Sequence, residues 1–153
     1  MRFWRICRRR YAAEAASGEG AYRYGGRWNS RGVRVVYAST SLALAAIETF
    51  VNLEPRLQPE DLVSIEGGIS ETLEIERLSL EVLPPHWYRS RDEFLARFGD
   101  EWIRAGQTVA LLVPAATIPE EWNVLLNPAH AEFSKVKFDL PRAFEFDVRM
   151  FRR

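Results

Sequence analysis

The chain has 153 residues and a mass of 17.7 kDa, a size that predicts one domain rather than two independent cores. Apolar residues make up 47% of it and aromatic residues 12%, which is enough for a buried core and excludes a disordered tail. The net charge is zero, and neither a membrane-length apolar run nor a secretory signal is seen, so a cytoplasmic protein is expected.

The N-terminal part of the chain predicts one strand followed by irregular structure. Residues 3–8 alternate in the manner of a strand, with Phe3, Arg5 and Cys7 on one face. Residues 17–32 hold five of the nine glycines, and glycine permits positive φ or a close approach to a ligand. We therefore predict a long ordered loop over this segment.

A buried strand and a helix are predicted next. Residues 33–37 are β-branched and aromatic enough for a strand, and residues 39–53 form the clearest helix of the sequence. The helix is expected to be capped by one of three hydroxyl residues, Ser39, Thr40 and Ser41.

The rest of the chain predicts shorter elements divided by turns. A bulge or bend is expected at Gly67-Gly68 and a helix break near Gly99. Strands are predicted at 62–69, 73–78, 109–113, 124–126 and 137–150, helices at 91–105 and 129–136, and a turn at 84–87. The predicted class is α+β, a compact domain of mixed or antiparallel strands with two or three helices.

Glu48 is the anomalous residue of the predicted helix. It lies among Leu44, Ala45, Val51 and Asn52 on the helical surface, and no Lys or Arg occurs from residue 35 to 55. An unpaired carboxylate on a helix that packs into a core is costly, so it has either a distant partner or a task. A solvent-facing edge of the helix is the alternative position.

The positive charge is concentrated near the N-terminus. Residues 1–34 hold nine arginines and two glutamates, a net charge of +7, and the remaining 119 residues carry −7. Arg27 follows two glycines in GGRWN, a setting that suits a guanidinium aimed at an anion, although Arg23 and Arg31 fit the same role. Pairing of these arginines with the acidic remainder of the fold is the other interpretation.

Other chemistry is weakly supported. Cys7 is the single cysteine, and His86 and His130 are far apart, so no metal site is expected. Tyr37 ends a predicted strand just before the helix of Glu48, where its ring can stack on a planar group or fill the core. Arginines 8–10 lack interleaved aromatic residues, so direct nucleic-acid binding is not expected.

Three segments together resemble the RES domain family. These are GGRWNSRGVRVVYASTSLALAAIE, WNVLLNPAHAEF and FEFDVRM, and the resemblance runs from about Phe3 to Arg152. It implies a fold similar to ADP-ribosyltransferases and an enzyme that breaks the bond between nicotinamide and ribose in NAD⁺. Family members are typically toxins neutralised by a helix-turn-helix (Xre-like) antitoxin that covers the active site.

The resemblance assigns residues on this chain. Arg27, Glu48 and Tyr37 match the family's arginine, glutamate and active-site tyrosine, and are the expected catalytic residues. The family's serine falls in a VPSA-like element, which here reads VPAA and places Ala115 where the hydroxyl is expected. The expected substrate contacts are Arg27, Trp28, Asn29, Arg31, Ala115 and Asn127.

The expected chemistry uses NAD⁺ as a substrate and no cofactor. Glu48 would hydrogen-bond the ribose hydroxyls and stabilise an oxocarbenium-like cation, Arg27 would hold the pyrophosphate or ribose, and Tyr37 would stack on nicotinamide. Hydrolysis, phosphorolysis and ADP-ribosyl transfer stay open. One rival hypothesis is a catalytically attenuated module that only binds its antitoxin, which the alanine at residue 115 favours. Another is a nucleic-acid binder. The aromatic content also leaves room for a homodimer.

Overall fold

The computed structural model of the chain describes residues 1–54, 59–89 and 91–152. Its strands are β1 Arg2–Arg8, β2 Val36–Ser39, β3 Leu62–Gly68, β4 Ile75–Arg77, β5 Ala110–Pro114, β6 Trp122–Leu126, β7 Lys137–Phe138 and β8 Arg142–Ala143. The α-helices of these ranges are α1 Glu19–Tyr24, α2 Leu42–Phe50 and α3 Glu93–Ala105. Short 3-10 helices cover Arg9–Glu14, Leu80–Val82, Trp87–Arg89, Phe133–Lys135 and Val148–Phe151. This composition confirms the predicted α+β class.

The strands form one eight-stranded mixed sheet. Its order is β4-β5-β6-β2-β1-β3-β7, and β8 also pairs with β3. The β4-β5 pair is parallel and the other pairs are antiparallel. Strand β1 lies between β2 and β3, so the N-terminal strand is central to the sheet rather than at its edge.

Alternation along β5 and β6 divides the core into two apolar clusters. Ala110, Val124 and Leu126 belong to one cluster, which also contains Phe3 of β1. Leu111, Val113 and Leu125 belong to the other, together with Leu95 and Trp102 of α3 and with Trp28 of the glycine-rich segment. Because side chains alternate between the two faces of a strand, each hydrophobic run of these strands supplies both layers.

Helix α2 follows β2 after a short hydroxyl-rich junction. The Oγ of Ser41 accepts a hydrogen bond from the backbone N of Leu44 at 3.1 Å, so Ser41 is the cap among the three predicted residues. The helix ends at Phe50, earlier than the prediction of residue 53, and β2 begins at Val36 rather than at residue 33. α2 packs against β1 and β2.

Three predictions about glycines are wrong. The segment 17–32 contains α1, so it is not loop throughout. Gly67 and Gly68 pair regularly with Phe3 and Arg2, without a bulge, and a methyl group on Gly67 would lie 2.1 Å from the Phe3 ring. α3 passes through Gly99 unbroken, because this glycine permits backbone contact with Trp28 rather than a kink.

Two C-terminal predictions are also wrong. Residues 129–136 form only the 3-10 helix Phe133–Lys135, and the long strand predicted over 137–150 is two short strands and a 3-10 helix. The alternating Phe144 and Phe146 instead pack on each other edge to face, and Phe146 packs in the same way on Phe50 of α2. Aromatic packing on a helix therefore produces the alternation that suggested a strand.

Candidate active site

A cavity of about 840 Å³ lies beside β1, β2 and α2. Its volume falls within the roughly 300–1,000 Å³ of typical ligand sites. The residues that carry the argument below are Arg5, Arg27, Tyr37, Glu48, Thr117 and Asn123, and all six line it. The cavity therefore collects polar groups from segments that are distant along the chain.

The Glu48 carboxylate is held by two donors that are distant along the chain. Its Oε1 accepts hydrogen bonds from Thr117 Oγ1 at 2.9 Å and from Asn123 Nδ2 at 2.8 Å. Thr117 lies between β5 and β6, and Asn123 lies on β6. The distant partner expected for this half-buried carboxylate is thus a pair of neutral hydrogen-bond donors rather than a cation.

Asn123 is oriented in turn by Ser39 at the end of β2. The buried Ser39 Oγ donates to Asn123 Oδ1 at 2.7 Å, so the amide directs its Nδ2 toward Glu48. Of the three hydroxyl residues considered as helix caps, Ser41 has that role, Thr40 donates to the Trp122 carbonyl at 2.9 Å, and Ser39 belongs to this network.

The positive side of the cavity is formed by arginines. Burial lowers the pKa of Arg27 and the neighbouring Arg91 lowers it further, whereas Glu48 and Tyr37 act in the opposite direction. Nη1 of Arg27 donates to the Trp87 carbonyl at 3.1 Å. Arg27 and Glu48 thus share one cavity and act on each other electrostatically, as the sequence-based hypothesis requires.

Arg5 of β1 is a third cation of this cavity. Its Nη1 donates to the Tyr37 carbonyl at 2.7 Å, and its buried Nε has no hydrogen-bond partner within the described residues. Burial lowers the pKa of Arg5, an effect that Cys7 partly opposes. Arg5 therefore adds positive charge to the wall of the cavity.

Tyr37 fixes the segment that carries Arg27. Its hydroxyl donates to Asn29 Oδ1 at 2.8 Å and accepts from the Trp28 backbone N at 3.0 Å. Burial raises the pKa of Tyr37 well above its usual range, so the hydroxyl stays protonated and can donate. Tyr37 also lines the cavity, and stacking on nicotinamide stays a prediction.

We expect Tyr37→Phe to destabilise the fold by about 1–3 kcal/mol, because it leaves Asn29 Oδ1 and the Trp28 amide without this partner. Urea denaturation measures the loss. Tyr22→Phe is the matched control, since Tyr22 is exposed, and should change stability by less than about 0.5 kcal/mol. Equal stability of Tyr37→Phe and the wild type would contradict the bracing role.

The other predicted substrate contacts do not line the cavity. Trp28 is buried in the apolar core, 6.0 Å from Trp87 between ring centroids, and Arg31 is exposed. Asn29 donates from Nδ2 to the carbonyls of Ala21, Ser30 and Val33. These residues shape the segment around Arg27, and the structure does not bring their side chains to the cavity.

The same holds for the two predicted contacts near β5 and β6. Ala115 is fully buried, and its neighbours Ala116 and Thr117 line the cavity instead. Asn127 is buried, donates from Nδ2 to the Ile103 carbonyl at 3.2 Å and accepts from the Ala129 N at 3.0 Å. Asn127 therefore organises the turn after β6.

Sequence reasoning missed Arg5, Thr117, Asn123 and the Ser39 contact. The position of Arg5 on a strand face could be predicted, because it alternates with apolar residues. That position does not predict that Arg5 lies at the cavity. The other three contacts join residues 69 to 84 positions apart, and no local pattern reports such pairing. Among the described residues, two other N-terminal arginines form ion pairs with the acidic remainder of the fold, as the alternative interpretation held: Arg2 with Glu66 and Arg8 with Asp61. Arg23 and Arg34 pair instead with Glu19 of their own segment.

Within residues 1–54, 59–89 and 91–152, no group of three His, Cys, Asp or Glu residues is arranged to hold a metal ion. No helix within those ranges has the length and apolar character needed to cross a bilayer.

Comparison with known proteins shows the family of the chain. The RES domain model matches residues 2–148. The chain belongs to the RES domain family. A curated relative from Sphingobium sp. (strain YBL2), named "Prs ADP-ribosylating toxin", is 39% identical over 99% of this chain and 97% of its own length. "Toxin Res" of Yersinia enterocolitica is 35% identical over 98% of this chain and 99% of its own length.

A solved structure shares the fold of this RES chain. It is described as the M. tuberculosis MbcT-MbcA toxin-antitoxin complex, and one of its chains superposes with a TM-score of 0.73 at 17% identity, covering 98% of this chain and 86% of that one. Because the chain belongs to the RES family and its curated relatives are named as toxins, it is a RES toxin.

Proposed function

We propose that this RES toxin is an enzyme that cleaves the bond between nicotinamide and ribose in NAD⁺. One observation carries the proposal: Glu48 and Arg27 line the same cavity, and the carboxylate is held through one oxygen by neutral donors. A negative charge and a positive charge at one cavity match a substrate with a developing cation and a pyrophosphate.

The arginines support binding of the pyrophosphate. Arg27, Arg91 and Arg5 all line the cavity, and Arg91 is close enough to Arg27 to lower its pKa. Neighbouring guanidinium groups repel each other, and a bound dianion relieves that repulsion while accepting their hydrogen bonds. The proposed orientation places the pyrophosphate at these arginines and the nicotinamide ribose at Glu48.

The chemistry requires little acid catalysis because nicotinamide leaves as a neutral molecule. The bond between its ring nitrogen and C1 of the ribose breaks with the electron pair moving to that nitrogen, and positive charge develops on the sugar. Glu48 stabilises this charge and accepts hydrogen bonds from the ribose hydroxyls. Water or phosphate then attacks C1 and releases a proton to solvent, which gives ADP-ribose or its phosphate ester.

One relative supports a protein side chain, in place of water or phosphate, as the acceptor of ADP-ribose. The Sphingobium protein is named an ADP-ribosylating toxin and aligns with 99% of this chain. The same cationic sugar can be attacked by a nucleophilic side chain of another protein, which would transfer ADP-ribose. Cleavage at Glu48 is common to both outcomes.

We also propose that an antitoxin neutralises this chain. The structural neighbour was solved as a toxin-antitoxin complex. Exposed apolar residues at the cavity mouth, Tyr11, Tyr24 and Val51, offer surface that a partner could cover. The family resemblance suggests a helix-turn-helix (Xre-like) antitoxin.

The decisive experiment follows nicotinamide release from NAD⁺ by the purified protein, with and without phosphate. Release in both buffers supports hydrolysis, and release only with phosphate supports phosphorolysis. Release only when a bacterial lysate is added, with a labelled protein product, supports ADP-ribosyl transfer. Absence of release in all three conditions would contradict the proposal and favour a module that only binds its antitoxin.

We expect Arg27→Gln to raise KM for NAD⁺ and lower kcat/KM by about 10- to 100-fold, because a charge-assisted hydrogen bond to the substrate is lost. Arg31→Gln is the matched control: the same substitution lies four residues away on an exposed side chain outside the cavity. Its kinetics should equal those of the wild type. Unchanged KM in Arg27→Gln would contradict the contact with the pyrophosphate.

A further inference from the structure

A hydroxyl contacts Glu48 two residues after the position at which the family pattern has a serine. Ala115 occupies the place of the expected serine, and it is fully buried with its backbone N bonded to the Glu121 carbonyl at 2.8 Å. Two residues later, Thr117 Oγ1 donates to Glu48 Oε1 at 2.9 Å. The hydroxyl contact with the carboxylate is therefore made although residue 115 cannot make it.

We propose that Thr117 is a positioning residue for Glu48, whose carboxylate it holds through Oε1. This inference depends on the proposed NAD⁺ cleavage. Thr117 acts through the carboxylate, so the substrate itself need not touch it.

Both hydrogen bonds to the Glu48 carboxylate are made to the same oxygen, and the proposed role depends on this. Thr117 and Asn123 both donate to Oε1, and among the described residues Oε2 receives no hydrogen bond from the protein. A carboxylate accepts through both oxygens, so occupying one directs the other to a ligand. We infer that Oε2 faces the ribose while Oε1 is anchored.

The anchor is built from rigid parts. Asn123 lies on β6 within the sheet and is oriented by the buried Ser39. Thr117 is in the connection between β5 and β6, which is closed by the bond from Ala115 N to Glu121 O and by the bond from Glu121 N to Ile118 O at 2.9 Å. Glu48 therefore meets two donors whose positions are set before the substrate binds.

The kinetic test compares Thr117→Val, which keeps the shape and removes the hydroxyl, with Thr117→Ser, which keeps the hydroxyl. We expect Thr117→Val to lower kcat by about 10-fold or more with KM for NAD⁺ within about twofold, and Thr117→Ser to stay within about threefold of the wild type. A Thr117→Val enzyme with wild-type kcat would overturn the proposal.

Ala115→Ser distinguishes the two positions. We expect no gain in kcat, because residue 115 is buried away from the cavity, and we expect Thr117→Val to lose the same factor in that background. If Ala115→Ser restored the activity of Thr117→Val, the serine position rather than Thr117 would supply the hydroxyl.

A stability cycle tests the contact without relying on activity. Thr117→Val should change the unfolding equilibrium constant at least about fivefold less in a Glu48→Ala background than in the wild type. Additive effects would overturn the inference even if the wild-type enzyme cleaves NAD⁺. A different outcome is that the two substitutions are coupled but the wild-type protein releases no nicotinamide. The contact between Thr117 and Glu48 would then be confirmed, whereas the proposed function and the positioning role of Thr117 would both be rejected.

Discussion

Replacing Glu48 by Gln is expected to lower kcat for nicotinamide release by at least about 10²–10³-fold, the scale of losing one electrostatic stabiliser of a transition state. Gln keeps the length of the side chain and an oxygen that can accept from Thr117 and Asn123. What it removes is the negative charge beside the proposed position of the sugar. KM should change little, because NAD⁺ binding is assigned to the arginines.

Glu101→Gln is the matched control for this variant. It makes the same change on an exposed helical residue, in α3, and should leave kcat within about twofold of the wild type. Circular dichroism and urea denaturation of both variants check the fold. If Glu48→Gln cleaved NAD⁺ at the wild-type rate, the role of the carboxylate in the proposed reaction would be wrong.

The largest effect on stability is expected from Gly99→Ala. A methyl group at this position in α3 would lie 1.8 Å from the carbonyl oxygen of Trp28, a backbone atom that cannot yield by a change of rotamer. We expect a loss of about 3 kcal/mol or more in the free energy of unfolding, measured by urea denaturation. Activity should also fall, because relief of the clash displaces the residue next to Arg27.

Gly20→Ala serves as the stability control. Gly20 is also helical, in α1, and a methyl group there would meet no atom within 4 Å. It should be neutral or stabilise the protein by up to about 1 kcal/mol, the usual preference of a helix for alanine over glycine. A Gly99→Ala variant as stable as Gly20→Ala would show that α3 can move away from Trp28 without cost.

Local patterns were enough to predict the elements next to the site. Alternation predicted β1, and the apolar run after the hydroxyl residues predicted α2, because both signals depend on neighbours in sequence. The anomaly of Glu48 was visible for the same reason: the absence of a nearby cation can be read from the sequence. Arg27 stood out only after the family resemblance selected it from Arg23 and Arg31.

What the sequence could not predict depends on tertiary contacts. The contacts of Glu48 with Thr117 and Asn123 form because β6 pairs with β2 and brings residue 123 beside residue 39. Gly99 was predicted to be a break because an isolated glycine weakens a helix, yet its purpose is the approach of Trp28. The C-terminal phenylalanines alternate because they pack together, a cause that periodicity alone cannot separate from strand pairing.

The glycine-rich segment is fixed from several directions. Tyr37 holds Trp28 and Asn29, the buried Asp100 of α3 accepts from the Ser30 backbone N at 2.9 Å, and a methyl group on Gly26 would lie 2.6 Å from the Tyr37 hydroxyl. Residue 26 is thus a glycine because the Tyr37 hydroxyl leaves no space for a side chain, and not because the segment has to be mobile. An ordinary surface loop tolerates an insertion or deletion. In this segment such a change would move the Arg27 guanidinium away from Glu48, so the length of the segment is as constrained as that of a core strand.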